Sequence, residues 1–312
     1  MPEFPDIVIY IEQLQTRVLN EPIERIRVFN SFLLRSVTPP LEAALGKRVR
    51  ALLRLGKRIV FSLEDELFLV VHLMIAGRFH WRSTTAMKAG RNCLAMFWFP
   101  TGNLLLTEAG SKKRASLHLI RGEPELQALD RGGIEVLDCT LPDFRSALLR
   151  ENHTLKRALT DPRLFSGIGN AYSDEILHRA RLSPVVLTQR LPAEAIESLF
   201  AAAQAVLREW VERLRAETGK AFPEKVTAFR PGMLVHGRFQ QPCPVCGTAV
   251  QRIAHAANEA NYCPRCQTGG KLLADRALSR LLKTDWPRTL DEMENRKAAA
   301  KADSAVRKEV AG

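Results

Sequence analysis

Two cysteine pairs constrain the folding of this chain more than any other feature. Cys243-Pro-Val-Cys246 and Cys263-Pro-Arg-Cys266 are separated by sixteen residues. At this spacing two CxxC turns present four thiolates to one ion, and the intervening hairpin closes a zinc ribbon. All four positions are thiolates and none is left for water, so the sequence predicts one structural Zn²⁺ bound by Cys243, Cys246, Cys263 and Cys266. A redox-active pair is the alternative, and the presence of two pairs favours the metal.

The charge of the chain points to a polyanionic partner. The 312 residues carry a formal net charge of +12, and nucleic acid is the commonest partner for such an excess. Six basic residues stand between Gly46 and Arg58 with no acidic one, although a solvated face is an alternative interpretation of this run. The N-terminus lacks the basic and apolar pattern of a signal peptide, and no apolar segment is long enough to span a membrane. We therefore expect a soluble, cytoplasmic monomer, associated with the nucleoid if it is bacterial.

The hydrophobic periodicity changes near residue 141. Before that point, short apolar runs punctuated by glycine predict strands at 58–63, 67–73, 93–99 and 103–107. A helix is predicted ahead of them, because Ile7, Ile11, Leu14 and Val18 fall at helical spacing. After that point the pattern is helical, and Ala193–Arg215 is the clearest amphipathic helix.

A glycine-rich turn precedes another apparent helix. Gly167 and Gly169 would allow close backbone approach, and free amides at a helix N-terminus bind phosphate. Asn170 could add a side-chain donor and Lys156 a point charge. A tight turn with a helix cap also explains the pattern.

Several motifs occur in one order from residue 2 to residue 267. They are Met1-Pro-Glu-Phe-Pro-Asp6, Leu55-Gly-Lys57, His72-Leu73, Gly167-Ile-Gly-Asn170-Ala-Tyr-Ser-Asp-Glu175, His236-Gly-Arg238 and the cysteine ribbon. Together they resemble the formamidopyrimidine-DNA glycosylase/endonuclease VIII family. The resemblance implies an α+β fold: an N-terminal catalytic β-sandwich with flanking helices (1–140), a helix–two-turn–helix DNA-binding domain (141–235) and a zinc ribbon (236–270). A tail (271–312) follows, which we expect to be helical and then disordered, with damaged DNA bound in a basic cleft.

The resemblance also implies a bifunctional DNA glycosylase and abasic-site lyase of base excision repair. Removal of Met1 would expose the amine of Pro2, and chain-terminal amines titrate at about pH 7.7–8.0. That amine would form a Schiff base with the sugar, followed by β,δ-elimination. The implied catalytic residues are Pro2, Glu3 as proton-transfer group and Lys57 beside the lesion. The implied DNA contacts are His72, Lys156, Asn170 and Arg238.

Four departures from the family pattern affect lesion recognition. Asp6 replaces a glutamate, and Ile75 stands where a methionine commonly fills the space left by the flipped base. The usual arginine- and phenylalanine-containing loop is replaced by 108–115, where Lys112, Lys113 and Arg114 could contact DNA. Asn258 stands in place of the ribbon arginine that grips the phosphate. We hypothesise retained Schiff-base chemistry with a shift towards single-stranded, open or bulky substrates.

Other interpretations stay open at the level of sequence. The chain could be a non-catalytic damaged-DNA-binding protein on the same scaffold. The ribbon could also be a protein- or RNA-binding module on an unrelated basic protein, although that would leave the N-terminal and glycine-turn motifs unexplained. Pro2 and Glu3 could simply begin an ordinary chain, Lys57 could be a solvated lysine and His72 a core histidine.

Overall fold

Two four-stranded antiparallel sheets are built from residues 25–121. The first has the order β2-β3-β4-β8 and the second the order β1-β6-β7-β5. The strands are β1 (Arg25–Val28), β2 (Val49–Leu55), β3 (Arg58–Leu63), β4 (Leu67–His72), β5 (Gly77–Arg82), β6 (Cys93–Phe99), β7 (Gly102–Glu108) and β8 (Ser116–Arg121). The computed structural model describes residues 1–83, 90–255, 258–274, 287–296 and 298–299.

Helices occupy most of the rest of the chain up to residue 218. They are α1 (Phe4–Val18), α2 (Glu123–Ala128), α3 (Leu141–Leu149), α4 (Leu155–Thr160), α5 (Asn170–Arg179) and α6 (Ala193–Thr218). The cysteine region contains a hairpin and a short helix, β9 (Gln251–His255), β10 (Asn258–Tyr262) and α7 (Pro264–Thr268). The predicted α+β class is confirmed: one helix precedes the two sheets, a helical region follows them, and a small cysteine module comes last.

The chain divides into two compact units. The first comprises Met1–Leu148, Leu159–Gly169 and Gln204–Ala228, and the second comprises Leu149–Ala158, Asn170–Ala203 and the described part of Phe229–Gly312. The four-segment division proposed from the sequence stays a prediction. Residues 290–296 are helical, whereas 275–286, 297 and 300–312, which include most of the predicted tail, lie outside the described residues.

Helix α1 and both sheets share one hydrophobic core in the first unit. Alternate residues of each strand enter this core, together with Ile7, Tyr10, Leu14 and Val18 of α1. The ring of Tyr10 meets the ring of Phe79 edge to face at 5.7 Å between centroids. A smaller cluster on the other face of the first sheet is covered by Leu126 of α2.

The structure confirms the four predicted strands, which correspond to β3, β4, β6 and β7. The basic run was not predicted to form a strand, yet most of it forms β2, in which Val49 and Leu52 are buried, Arg50 is exposed and Arg54 is half-buried. Acidic residues distant in sequence neutralise part of this run, because Lys47 pairs with Asp65 at 2.6 Å and Arg50 pairs with Glu64 at 2.5 Å.

The two predicted helices are present. Helix α1 contains the four residues predicted at helical spacing, and α6 begins at Ala193 as predicted but extends beyond Arg215 to Thr218. No described helix combines the length and apolar character that a membrane crossing would require.

Removal of the Phe79 ring should destabilise the first unit. Phe79 is fully buried and also packs against Phe61 at 6.5 Å between ring centroids. We expect Phe79→Ala to lower the free energy of unfolding by about 3–5 kcal/mol, since it removes a buried ring and leaves a cavity. Guanidinium unfolding followed by far-ultraviolet circular dichroism measures the change. Phe32→Ala is the matched control, because Phe32 is 76% exposed and its loss should cost less than about 0.5 kcal/mol. Equal losses in the two variants would contradict the assigned core.

Candidate active site and DNA-contact residues

The start of the chain is buried and fixed by a helix cap. Pro2 is buried, and Glu3 directly precedes α1. The backbone amide of Glu3 donates to the carboxylate of Asp6 at 2.9 Å. An acidic side chain in the first turn of a helix satisfies a free amide and interacts favourably with the helix dipole. Asp6, although shorter than the expected glutamate, therefore still reaches the amide it caps.

The side chain of Glu3 points towards the glycine-rich turn. Its carboxylate is buried, and its Oε2 accepts a hydrogen bond from the amide of Gly169 at 2.8 Å. A Cβ atom placed on Gly169 would lie 2.4 Å from Cδ of Glu3 and 2.6 Å from Nζ of Lys57. The carboxylate and the ammonium group therefore occupy the space that a side chain at Gly169 would need. The structure thus brings together Glu3 and Lys57, two of the three residues that the sequence singled out for catalysis.

A tight hairpin places Lys57 at this position. Leu55 of β2 pairs with Arg58 of β3, so that Gly56 and Lys57 form a two-residue turn. Gly56 has a φ of +62°, a conformation that glycine adopts without steric cost.

Gly167 brings the glycine-rich segment against α1. Its φ is +79°, and a Cβ atom there would lie 2.9 Å from Cβ of Phe4. The carbonyl of Gly167 accepts a hydrogen bond from the amide of Phe4 at 2.9 Å. The sequence suggested that these glycines expose amides to phosphate. In the structure Gly167 allows contact with Phe4, and the amide of Gly169 is used by Glu3.

Arg54 links three parts of this site and was not identified from the sequence. Its guanidinium lies over the ring of Phe4, 4.5 Å from the centroid, and donates to the carbonyl of Gly56 at 2.9 Å. It also donates to Ser166 at 3.2 Å and forms an ion pair with Glu135. No local pattern distinguishes Arg54 from its basic neighbours, because its partners lie up to 112 residues away.

The chain-terminal amine lies in an environment that favours its neutral form. Burial lowers the pKa of the amine of Met1; the carboxylates of Glu3 and Asp6 oppose this, and the cations Arg78 and Lys57 reinforce it. A neutral amine keeps the lone pair that a nucleophile needs.

His72 lies at the end of β4, opposite Arg58 of β3. Burial, together with Arg58, Lys57 and His118, lowers the pKa of His72 to about 4. Its Nε2 is shielded from solvent and has no hydrogen-bond partner among the described residues. The predicted DNA contact of His72 would therefore involve a neutral imidazole.

The β7–β8 turn is closed by its own glutamate. The carboxylate of Glu108 accepts hydrogen bonds from the amides of Arg114 at 2.8 Å and Ala115 at 3.2 Å. The ammonium group of Lys113 donates to the carbonyl of Glu108. The side chains of Lys112 and Arg114 are exposed, so this compact turn presents charge and no aromatic ring.

Lys156 lies in the second unit, where it forms an internal ion pair. Its ammonium group donates to Oδ1 of Asp174 at 2.5 Å, to Ser173 at 2.8 Å and to the carbonyl of Asn170, the first residue of α5, at 2.6 Å. A lysine has three donors, so the predicted phosphate contact would have to replace one of these bonds.

Asp174 and Glu175 are two buried acids that received no role from the sequence. Oδ2 of Asp174 accepts hydrogen bonds from the amide of Asn261 at 3.1 Å and from Nδ1 of His236 at 2.8 Å. Burial raises the pKa of Glu175, and the backbone amides that bind its carboxylate oppose this shift. Those amides belong to Leu234, Val235 and His236, at 2.7–3.0 Å.

Arg238 and Asn258 are the two remaining predicted DNA contacts. Arg238 is half-buried and donates to the carbonyl of Pro242 at 3.0 Å. Asn258 begins β10, but its side chain lies outside the described part of the chain.

The four predicted zinc ligands form one cluster. The sulfur atoms of Cys243, Cys246, Cys263 and Cys266 all lie within 4.8 Å of one another. The Cys246–Cys263 and Cys243–Cys266 sulfur pairs are 3.4 and 4.0 Å apart. Four thiolates around Zn²⁺ at about 2.3 Å would be about 3.8 Å from one another, so the donor set and its spacing fit one tetrahedral ion. Convergence on one point favours a structural metal site over two redox pairs.

Three segments of the chain match known protein families. Residues 1–112 match the formamidopyrimidine-DNA glycosylase N-terminal domain and residues 136–220 match the H2TH domain of the same proteins. Residues 240–269 match the zinc finger found in FPG and IleRS.

Similar proteins cover most of the chain. A formamidopyrimidine-DNA glycosylase of Heliobacterium modesticaldum is 30% identical over 281 residues, which cover 86% of this chain and 100% of that protein. An uncharacterized formamidopyrimidine-DNA glycosylase-like protein of Mycobacterium tuberculosis is 41% identical over 162 residues, covering 52% of this chain and 99% of its own length.

Solved structures have the same fold. The MutM (Fpg) protein from Thermus thermophilus has a TM-score of 0.71 at 28% identity, covering 85% of this chain and 98% of that one. Lactococcus lactis Fpg in complex with DNA that contains an abasic site has a TM-score of 0.76 at 23% identity, covering 85% and 99%.

A methyl group at Gly169 should disturb the contact between Glu3 and the turn. Gly169→Ala would place a Cβ atom inside the contact distance of Glu3 and Lys57, and overpacking of this kind costs about 1–3 kcal/mol. Chemical denaturation measures the loss. Gly90→Ala is the matched control, because a Cβ atom there meets nothing within 4 Å and its φ is not in the left-handed region. If Gly169→Ala is as stable as Gly90→Ala, the described packing of Glu3 is wrong.

The cysteine cluster should hold one Zn²⁺ per chain. We expect Cys263→Ser to lose the metal, because it removes one of four ligands and binding of structural zinc is coupled to folding. Zinc content by atomic absorption and thermal unfolding with and without a chelator measure the effect. Cys139→Ser, outside the cluster, should keep the full zinc content. Native protein without stoichiometric zinc, or undiminished zinc in Cys263→Ser, would contradict the assignment.

Proposed function

The chain belongs to the formamidopyrimidine-DNA glycosylase family, as its ordered motifs indicated, and we propose that it is a bifunctional DNA glycosylase and abasic-site lyase. The similar proteins support a DNA glycosylase of base excision repair, and the lyase activity is the part that we add by proposal. The observation that supports the lyase proposal is the start of the chain, where Pro2 is buried and the adjacent Glu3 lies beside the glycine-rich turn and Lys57. The solved relatives include complexes with damaged DNA, and damaged DNA is the substrate we propose.

The proposed chemistry starts from the amine of Pro2 after removal of Met1. Its lone pair forms a bond to C1′ of the damaged nucleotide, and the bond from C1′ to the base breaks with release of the base. The proton that the amine nitrogen loses is transferred to the ring oxygen, the bond from C1′ to that oxygen breaks, and the opened sugar is left as an iminium at C1′, while the released base takes a proton from water. Glu3, one residue from the nucleophile and buried, is the group we propose for this transfer. The iminium acidifies the hydrogens on C2′, so that elimination of the 3′ phosphate and then the 5′ phosphate cleaves the strand.

Lys57 and the basic residues bind and orient the substrate in this proposal. Lys57 shares the space around Gly169 with Glu3 and provides a positive charge beside the reacting sugar. The exposed side chains of Lys112 and Arg114, together with Arg238, would contact the DNA backbone, which positions a nucleic acid without reading its sequence. The zinc ion, when bound to the four cysteines, would stabilise the ribbon and offer no open position for water.

We also propose a substrate preference that differs from that of relatives with an aromatic loop. The turn at 108–115 is closed by Glu108 and contains no ring that could fill the duplex after a base has been flipped. Flipping costs a few kcal/mol, and the cost is smallest for damaged, mismatched or unpaired bases. Open or single-stranded substrates therefore suit this chain better than 8-oxoguanine in intact duplex DNA.

Borohydride trapping tests the nucleophile. An iminium between Pro2 and an abasic-site oligonucleotide is reduced by borohydride to a stable covalent adduct, which is detected by gel electrophoresis. We expect the adduct with native protein and none with a chain that is extended ahead of Pro2, since the extension converts the amine into an amide. The same extension placed at the C-terminal end is the control and should leave trapping intact.

The opposite result would identify the rival function. Absence of an adduct from native protein that binds the same oligonucleotide in a salt-sensitive manner would support a non-catalytic damaged-DNA-binding protein. An adduct that persists after blockage of Pro2 would place the nucleophile on another amine.

A further inference from the structure

Phe229 is an exposed aromatic residue whose ring is held in a defined orientation. One face of the ring stacks on His236, with centroids 5.5 Å apart and planes 13° from parallel. Gly237 allows this contact, because a Cβ atom there would lie 2.5 Å from Cδ1 of Phe229. The residue as a whole is nevertheless 65% exposed.

The support beneath the ring is rigid. His236 is 4% exposed, and its Nδ1 contacts the carboxylate of Asp174 at 2.8 Å. Its backbone amide donates to Glu175 at 2.9 Å. Both carboxylates are buried. An aromatic ring that is ordered before binding loses little conformational entropy when a ligand stacks on it.

The segment around Phe229 suits a polyanion. No acidic residue occurs from Lys225 to Asn258, whereas four basic residues do: Lys225, Arg230, Arg238 and Arg252, the last of which pairs with Glu259 at 3.2 Å. The second aromatic residue of this segment, Phe239, is covered by the guanidinium of Arg252, 4.4 Å from the ring centroid. Among the described aromatic residues of this segment, Phe229 is thus the one that combines a fixed ring with large exposure.

We propose that Phe229 is a stacking platform for an unpaired nucleobase of the DNA substrate. The proposal rests on the proposed function and deepens it, because it names the residue that recognises an open substrate. Every base has a π-face, so stacking on a phenyl ring tolerates any sequence and contributes in proportion to the number of unpaired bases it meets. Arg230 and Arg238, which belong to the same segment of the sequence, would neutralise the phosphates that accompany such a base.

The test compares binding of the full-length protein to a single-stranded oligonucleotide and to the same sequence in a fully paired duplex, by fluorescence anisotropy. Phe229→Ala should weaken single-strand binding about fivefold to a hundredfold, the range expected for loss of one stacked base, and duplex binding less than about threefold. Phe229→Trp should keep the native affinity, and Phe229→Leu should lose affinity although it keeps an apolar side chain on His236. The slope of affinity against salt should stay unchanged, because no phosphate contact is removed.

Two controls separate loss of stacking from loss of apolar surface and from local unfolding. Phe32→Ala removes another exposed phenyl ring, 76% exposed and in the first unit, and should bind both oligonucleotides like native protein. Melting curves of the Phe229 variants report whether the segment on His236 keeps its fold. Loss of affinity in Phe229→Trp, or native affinity in either Phe229→Leu or a folded Phe229→Ala, would overturn the proposal.

The outcome is distinguishable from failure of the proposed function. Trapping on an abasic duplex tests Pro2 and does not require Phe229. If native protein forms the adduct but Phe229→Ala binds single strands with native affinity, the stacking role of Phe229 is wrong and the proposed function stands. Native protein that binds neither oligonucleotide would instead count against the proposed function and the inference together.

Discussion

The hydrogen bond between the amide of Gly169 and the carboxylate of Glu3 is the contact on which the candidate active site depends. A buried carboxylate is costly unless it is hydrogen-bonded or paired, and Gly169 with the neighbouring ammonium group of Lys57 meets that requirement. A second hydrogen bond holds the start of the chain on the same turn: the amide of Phe4 donates to the carbonyl of Gly167, two residues before Gly169. Packing and chemistry thus share one set of atoms. Glycine is needed at 167 and 169 because a Cβ atom at Gly167 would clash with Phe4, and a Cβ atom at Gly169 would clash with Glu3 and Lys57.

The second unit is organised around the adjacent carboxylates of Asp174 and Glu175. Asp174 joins Lys156 to His236 and Asn261, and Glu175 binds three consecutive backbone amides at 234–236. Loss of one partner from such a pair leaves an uncompensated buried charge, which typically costs about 3–5 kcal/mol. Lys156 is thus the counter-charge of this network, and its contact with phosphate stays a prediction. The fixed position of His236, and with it the orientation of the Phe229 ring, follows from these two acids.

Local signals in the sequence were enough for much of the fold and for part of the site. Strands β3, β4, β6 and β7 are apolar runs bounded by turn residues, and α6 has a clear apolar face, so both kinds of element were predictable. Strand β2 was missed because its buried residues Val49 and Leu52 do not alternate, owing to an irregularity in register between Val49 and Ala51, and because its arginines resemble a solvated basic run. In the site, Glu3 and Lys57 belong to recognisable motifs. The roles of Arg54, Asp174 and Glu108 depend on partners folded against them, which no spacing rule locates.

The β7–β8 turn connects these observations to substrate choice. Glu108 binds the amides of Arg114 and Ala115, so the turn is stabilised from within, and of its basic side chains Lys112 and Arg114 are exposed to a ligand. Positive side chains hold phosphates but cannot replace the stacking that is lost when a base leaves the helix. Under the proposed substrate preference, a chain with this turn would gain most from DNA in which that stacking is already broken. An exposed, fixed phenyl ring at Phe229 would then serve the bases of such an opened strand, since stacking on a ring requires no pairing partner.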